Sequence, residues 1–151
     1  MPALKLHRLL VGTGIVVATF NALSAIGGGI GMLATDGLGM PLRSLSTSPF
    51  TSFVVPAAVL IVVIGGTQVL SAALFLAKRE AALLWTSVAG FGMLIWIFVE
   101  TMVIRGGSWL QVLYFATGTL QLVLVVTLLG VVAWLPRRPL RVGAAEAVHR
   151  R

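Results

Sequence analysis

Glu100 is the residue best suited to do chemistry in this chain, because it is a carboxylic acid inside a long apolar segment. An acid at the centre of a bilayer costs about 2.5–3.5 kcal/mol on insertion scales, so such a group is a candidate for binding a ligand, an ion or a proton. Glu100 lies near the end of its segment, where this cost is smaller. We predict a polar cluster of Glu100, Gln111 and Tyr114, with Arg105 close enough to pair with the acid. A structural, hydrogen-bonding role for Glu100 remains open beside ligand binding.

Three amide side chains are the other polar candidates, and they lie nearer the middle of their apolar segments. These are Asn21, Gln68 and Gln121. Unsatisfied polar groups cost energy in hydrocarbon, so we expect these amides to face other helices or a partner subunit. Steps of three and four residues place small or aromatic side chains on the same faces: Gly14, Ala18, Ala25 and Gly28 with Asn21, Gly65 and Ala72 with Gln68, Gly92 and Trp96 with Glu100, and Tyr114 and Gly118 with Gln121.

Known catalytic and metal-binding patterns are missing from the sequence. Both histidines, His7 and His149, lie in the tails, and the chain contains no cysteine. A single acid in the apolar segments cannot supply a carboxylate pair, and neither a Ser-His-Asp set nor a metal-ligand spacing is present. The glycine-rich run 27–31 follows no strand and precedes no Lys-Ser/Thr pair, so we interpret it as a helix-packing surface. No cofactor is predicted.

Four apolar runs must position these residues, at about 9–33, 53–77, 81–104 and 110–135. Each run exceeds the about 20 residues that a helix needs to cross a bilayer. Charged residues make up only 10% of the chain, whereas soluble domains contain about 25%. Because residues 78–80 and 105–108 form short connections, the sequence predicts an all-α integral membrane protein, an up-down-up-down four-helix bundle. The first run is too long for a signal peptide, so we expect it to remain as a helix.

The basic residues predict an orientation. Of the 11 lysines and arginines, all but Arg43 and Arg105 lie in segment 1–8, turn 78–80 or tail 136–151. We expect the protein in a bacterial inner membrane. The positive-inside rule then places both termini in the cytoplasm and segment 34–52 outside. The net charge of +7 is explained by contact with anionic lipid headgroups. No basic patch is interleaved with aromatic residues, so nucleic acid is not a predicted partner.

The outer loop, residues 34–52, is the one long irregular segment. It is rich in turn-forming residues such as Asp36-Gly37, Gly39 and Pro41, followed by a Ser/Thr cluster. Several apolar residues lie among them: Leu38, Met40, Leu42 and Leu45. We interpret the loop as a connector that touches the outer membrane interface. A binding lid is the alternative, since loops often carry function.

Over most of its length the chain resembles known small membrane proteins, in its hydrophobic pattern and in a few aromatic and glycine positions, including Ser48-Pro49-Phe50. The stretch 92–124 resembles four-span bacterial membrane proteins of unknown function, in the positions of Trp96-Ile97, Glu100, Trp109-Leu110-Gln111, Tyr114-Phe115 and Gly118. More loosely, the size, the four spans and the segment Gly65-Gly66-Thr67-Gln68 are similar to the DoxX-like group. The resemblance implies a four-helix fold in a bacterial inner membrane, and it implies no reaction. Small multidrug exporters carry their acid in the first helix, so Glu100 in the third argues against that family.

Three classes of function fit these observations. We favour a structural or accessory membrane protein that binds lipid, a second copy of itself or another membrane protein. The first alternative is a small oligomeric transporter or channel that uses Glu100 together with Asn21, Gln68 and Gln121. The second alternative is a membrane enzyme acting on a lipid or quinone-like substrate, for which the sequence offers no catalytic residue.

Overall fold

Four long helices form the structure of this protein. A computed structural model describes residues 2–46, 48–104 and 108–130. The helices are α1 (Pro2–Ala34), α2 (Val54–Leu76), α3 (Ala81–Ile104) and α4 (Trp109–Leu128), and a 3-10 turn (Leu42–Leu45) lies between α1 and α2. Each long helix is long and apolar enough to cross a membrane. Since the described residues contain no strand, the predicted all-α fold with four membrane-length helices is confirmed.

The ends of the helices differ in places from the apolar runs. Helix α1 begins at Pro2, so most of segment 1–8, which the sequence assigned to a tail, is helical. Proline is favoured in the first helical turn because the N–H that it lacks would have no partner within the helix there. Helix α3 has the bounds that its apolar run predicts. Helix α4 ends at Leu128, and the predicted tail 136–151 and Arg105 lie outside the described residues.

Neighbouring helices run antiparallel to each other. On α1 and α2, Gly14 lies against Phe75 while Gly28 lies against Leu60. On α2 and α3, Gln68 bonds to Ala89 while Ser71 bonds to Thr86. In each pair one residue number rises as the other falls, as antiparallel helices require. Helix α4 packs against both α3 and α1, so it closes the bundle.

Two glycines allow α3 and α4 to approach closely. A Cβ atom at Gly90 would lie 3.1 Å from the carbonyl oxygen of Gly118, and one at Gly118 would lie 3.2 Å from the carbonyl oxygen of Gly90. Backbone atoms therefore meet here without side chains between them. Such contacts between small residues are a main source of helix association in lipid, where the hydrophobic effect contributes little.

Helix α2 contains an irregular turn in its middle. Residues Leu60–Gly65 form a π-helical turn between two α-helical parts. The Thr67 hydroxyl donates hydrogen bonds to the carbonyl oxygens of Val63, at 2.7 Å, and Ile64, at 3.0 Å. Threonine hydroxyls of this kind satisfy backbone groups at breaks in membrane helices. The turn is therefore stabilised by a side chain of α2 itself.

Candidate functional site

A cavity of about 610 Å³ lies at one end of the bundle. We call this end, where residues 35–53 connect α1 to α2, the loop end. All four helices contribute to the wall of the cavity, among them Gly28 and Met32 of α1, Pro56 and Leu60 of α2, Trp96 and Glu100 of α3, and Tyr114 of α4. Its volume is within the range of about 300–1,000 Å³ that is typical of small-molecule sites. We call it the loop-end cavity.

Helix α2 packs on different helices on the two sides of the π turn. Below the turn, α2 packs on α3 through Gln68 and Ser71. Above it, the first part of α2 packs mainly on α1, whereas α3 packs on α4. The cavity wall includes Pro56, Leu60 and Ile64 of α2 and Met93, Trp96 and Ile97 of α3. Ile64, Met93 and Ile97 also pack together in one buried cluster, which closes the inner side of the cavity.

The connection between α1 and α2 covers this space. Leu38, Met40, Leu45 and Phe50 line the cavity, and Leu45 and Phe53 are buried. Gly37 has a φ of 107° and lies under the Phe53 ring, where no Cβ atom would fit. Only glycine adopts that backbone conformation without strain. The loop is therefore packed onto the bundle as a cover, which is more than the simple connector that the sequence suggested.

Glu100 is half-buried and contributes the acidic group of the cavity wall. Tyr114 lies in the same wall, and its ring stacks on Phe20 of α1 with the centroids 6.4 Å apart. These contacts fix Tyr114 beside the cavity. Two members of the predicted cluster, Glu100 and Tyr114, thus share one site, while Arg105 lies outside the described residues.

Gln111, the third member of the predicted cluster, does not line the cavity. It is buried at the start of α4, where its Oε1 atom accepts a hydrogen bond of 2.9 Å from the backbone N–H of Ser108. Ser108 and Gln111 together form a capping box, which satisfies donors at the helix start. The Gln111 side chain is thereby held at the helix end and is not part of the cavity wall.

The three buried amides form a hydrogen-bonded network in the middle of the bundle, separate from the cavity. The Gln68 Nε2 atom donates to Gln121 Oε1 at 3.0 Å, and Gln121 Nε2 donates to Gln68 Oε1 at 2.7 Å. Asn21 Nδ2 donates to Gln121 Oε1 at 3.5 Å, and Asn21 Oδ1 accepts from Thr117 Oγ1 at 3.0 Å. Gln68 also reaches the carbonyl oxygen of Ala89 at 3.4 Å. The network therefore connects all four helices.

Sequence reasoning missed the hydroxyl members of this polar core. The hydroxyls of Ser71 and Thr86 are 2.7 Å apart, and both residues are fully buried. Thr86 and Thr117 also donate to the carbonyl oxygens of Ala82 and Tyr114. Their spacing could have predicted them, because Ser71 is three residues after Gln68 and Thr117 is four residues before Gln121, which places each pair on one helix face. Among the described residues, no buried side-chain nitrogen or oxygen lacks a partner, so the network is internally satisfied.

The predicted transport set is not assembled within one chain. From Ala89 to Glu100, α3 rises about 16 Å at about 1.5 Å per residue. Glu100 therefore lies well away from the level where Asn21, Gln68 and Gln121 meet. The amide network thus lies in the middle of the bundle, whereas Glu100 lies in a cavity near one end.

Comparison with protein-family models, with curated proteins and with solved structures gives no match to this chain. The similarity to the DoxX-like group stays a prediction.

Proposed function

We propose that this protein is a non-enzymatic, accessory membrane protein that binds a lipid-like amphiphile in the loop-end cavity. One observation carries the proposal: a cavity of about 610 Å³ is lined almost wholly by apolar side chains and carries the carboxyl group of Glu100. Apolar walls favour an apolar ligand body, while the few polar groups of a site fix its orientation. A carboxyl group selects a ligand whose polar end is cationic or donates hydrogen bonds.

The amide network supports a binding role over transport. A conduction path for a polar solute needs polar groups that can contact the solute along the bundle. The buried amides would be the candidates for such groups. Here Gln68 and Gln121 satisfy each other, and neither has exposed surface. A network that connects four helices, and in which every buried polar atom of the described residues has a hydrogen-bond partner, is suited to fixing the arrangement of the helices.

We also infer a location and an orientation. The four apolar helices fit a multi-pass membrane protein, and the distribution of lysine and arginine supports a bacterial inner membrane with both termini in the cytoplasm. In that orientation the loop-end cavity lies in the outer leaflet. Its ligand then enters from the outer half of the bilayer.

Trp96 offers a direct test, because its indole lies in the cavity wall. The purified protein in detergent is titrated with brominated alkyl probes of one chain length that end in an amine, an alcohol or a carboxylate. Bromine quenches tryptophan fluorescence at contact. We expect saturable quenching by the amine and the alcohol at lower concentrations than by the carboxylate. The variant Trp96→Phe should lose the saturable component, which identifies the site.

The acid is tested with a matched pair of variants. Glu100→Gln should weaken binding of the amine about 10-fold, as expected for a lost charge-assisted hydrogen bond of about 1.5 kcal/mol. Glu80→Gln removes an exposed acid near the opposite end of the bundle, and it should leave the titration unchanged. Equal amine affinity in the wild type and in Glu100→Gln would remove Glu100 from the site, and a lack of saturation with all three probes would refute the cavity as a ligand site.

A further inference from the structure

A second cavity, of about 570 Å³, lies at the opposite end of the bundle, where the turn 78–80 connects α2 to α3. We call it the turn-end cavity. Its deeper wall is apolar and comes from α1, α2, α3 and α4: Val11, Ile15, Phe75, Leu83 and Leu128. Phe75 is buried and packs against Gly14. The cavity thus has a fixed hydrophobic floor.

The rim of the turn-end cavity is strongly basic. Arg8 of α1 and Lys78 and Arg79 of the turn all line it, together with His7, and Glu80 is the acid of this lining. These cations come from two parts of the chain that are distant in sequence. An apolar pocket between membrane helices with a basic rim is the arrangement that binds the headgroups of anionic lipids.

The backbone at Lys78 has a conformation that is unusual for a lysine. Lys78 has a φ of 54°, in the left-handed region. Lys78 lies just after the end of α2. Its N–H donates to the Phe75 carbonyl at 3.0 Å, and the N–H of Arg79 donates to the Leu74 carbonyl at 2.9 Å. Glycine is the favoured residue in this helix-ending motif. A lysine here carries a conformational cost, which is consistent with a task for its ammonium group at the cavity rim.

We propose that the turn-end cavity binds one anionic phospholipid, with the phosphate held by Arg8, Lys78 and Arg79 and the upper part of an acyl chain against Phe75 and Leu83. The phosphate provides acceptors for charge-assisted hydrogen bonds from the guanidinium and ammonium groups. The site is distinct from the loop-end cavity in position and in charge, so this proposal does not rest on the function proposed for Glu100.

The test measures lipid binding to the purified full chain by native mass spectrometry. Phosphatidylglycerol and phosphatidylcholine with identical acyl chains are added in separate titrations. We expect one phosphatidylglycerol per chain to bind in preference to phosphatidylcholine, and more weakly as salt is raised. Lys78→Gly and Arg79→Gln should each lower the affinity about fivefold, which is the size expected for one cation near a membrane surface.

Two controls separate binding from folding. Lys78→Gly relieves the left-handed strain, so its thermal unfolding temperature should be equal to or above that of the wild type while lipid affinity falls. Arg43→Gln removes an exposed cation in the loop at the other end of the bundle, and it should bind phosphatidylglycerol like the wild type. Equal losses in Arg43→Gln and Arg79→Gln would refute a defined site in favour of general attraction.

The acyl part of the proposal has its own variant. Gly12 lines the turn-end cavity, and a Cβ atom there meets nothing within 4 Å. Gly12→Leu should therefore fill the cavity and weaken phosphatidylglycerol binding without disturbing α1. Glycerophosphate, which carries the phosphate alone, should not displace the lipid at equal concentration. Displacement by glycerophosphate together with unchanged binding in Gly12→Leu would assign the rim to a soluble phosphate and overturn the lipid proposal, as would equal binding of the two phospholipids.

Discussion

Gln68 and Gln121 donate to each other in both directions, and both are fully buried. Replacing either one by leucine leaves the other amide without its main partner. We expect Gln68→Leu and Gln121→Leu each to lower the free energy of unfolding by about 1–2 kcal/mol, near the upper end of values for interhelical hydrogen bonds in membranes. Unfolding in mixed micelles with increasing denaturing detergent measures the change.

The double variant tests whether the two amides act as a pair. If they do, Gln68→Leu/Gln121→Leu should lose about 1 kcal/mol less than the sum of the single losses, because neither amide remains unpaired. Thr127→Val serves as the control, since the Thr127 hydroxyl donates to the Val123 carbonyl within its own helix, and it should change stability little. Strictly additive losses for the two glutamines would show that the network is not coupled.

At the residue scale, the sequence predicted which polar groups turn inward but not what surrounds them. Asn21, Gln68 and Gln121 lie on faces of small residues, and that spacing was enough to predict burial. The cavity around Glu100 is lined by side chains of the three other helices and of the loop, which spacing along α3 does not report. Gln111 was grouped with Glu100 because of its depth, whereas its capping contact with Ser108 holds it at the start of α4.

At the element scale, the contact of α3 with α4 depends on backbone approach at Gly90 and Gly118. A methyl group at either position would lie 3.1–3.2 Å from a carbonyl oxygen of the facing helix. We expect Gly90→Ala to lower stability by about 1–3 kcal/mol, which is typical of overpacking. Gly66→Ala is the matched control in α2, because a Cβ atom there has no neighbour within 4 Å.

The same mixed-micelle unfolding measurement compares the two alanine variants. Alanine favours a helix over glycine by about 1 kcal/mol, so Gly66→Ala should be neutral or stabilising. A Gly90→Ala protein as stable as Gly66→Ala would show that the two helices do not meet as closely as described.

Among the elements, the helices were predictable and the irregular segments were not. Run length and apolar composition decide that a segment spans a bilayer, and these are properties of the sequence alone. The π turn Leu60–Gly65 lies inside a continuous apolar run, whose composition does not distinguish it from the α-helical parts of α2. The cover formed by residues 35–53 likewise depends on contacts such as Gly37 with Phe53, which join residues on both sides of the loop.

At the scale of the whole molecule, the chain has differently charged cavities at its two ends. The loop-end cavity carries Glu100, and the turn-end cavity carries Arg8, Lys78 and Arg79. The amide network lies between them and holds the four helices together. We therefore propose amphiphiles of opposite headgroup preference as the ligands of the two ends.

Orientation is open to a clean test, because the chain contains no cysteine. Thr51→Cys places a thiol on the exposed loop, and Glu80→Cys places one on the exposed turn at the other end. In intact cells that express each variant, a membrane-impermeant maleimide should label Thr51→Cys, and it should label Glu80→Cys only after the membrane is opened. The reverse pattern would contradict the inferred orientation with both termini in the cytoplasm.

Occupancy of the loop-end cavity is the central claim, and one comparison of two neighbouring glycines tests it most directly. Gly28 lines the cavity, whereas Gly27 is exposed on the same helix with nothing within 4 Å of a Cβ atom. Native mass spectrometry with an added alkyl amine should show one bound probe per chain for the wild type and for Gly27→Leu. Gly28→Leu, whose side chain fills the cavity, should bind none at the same concentration. Equal occupancy in the two leucine variants, or none in the wild type, would contradict the account.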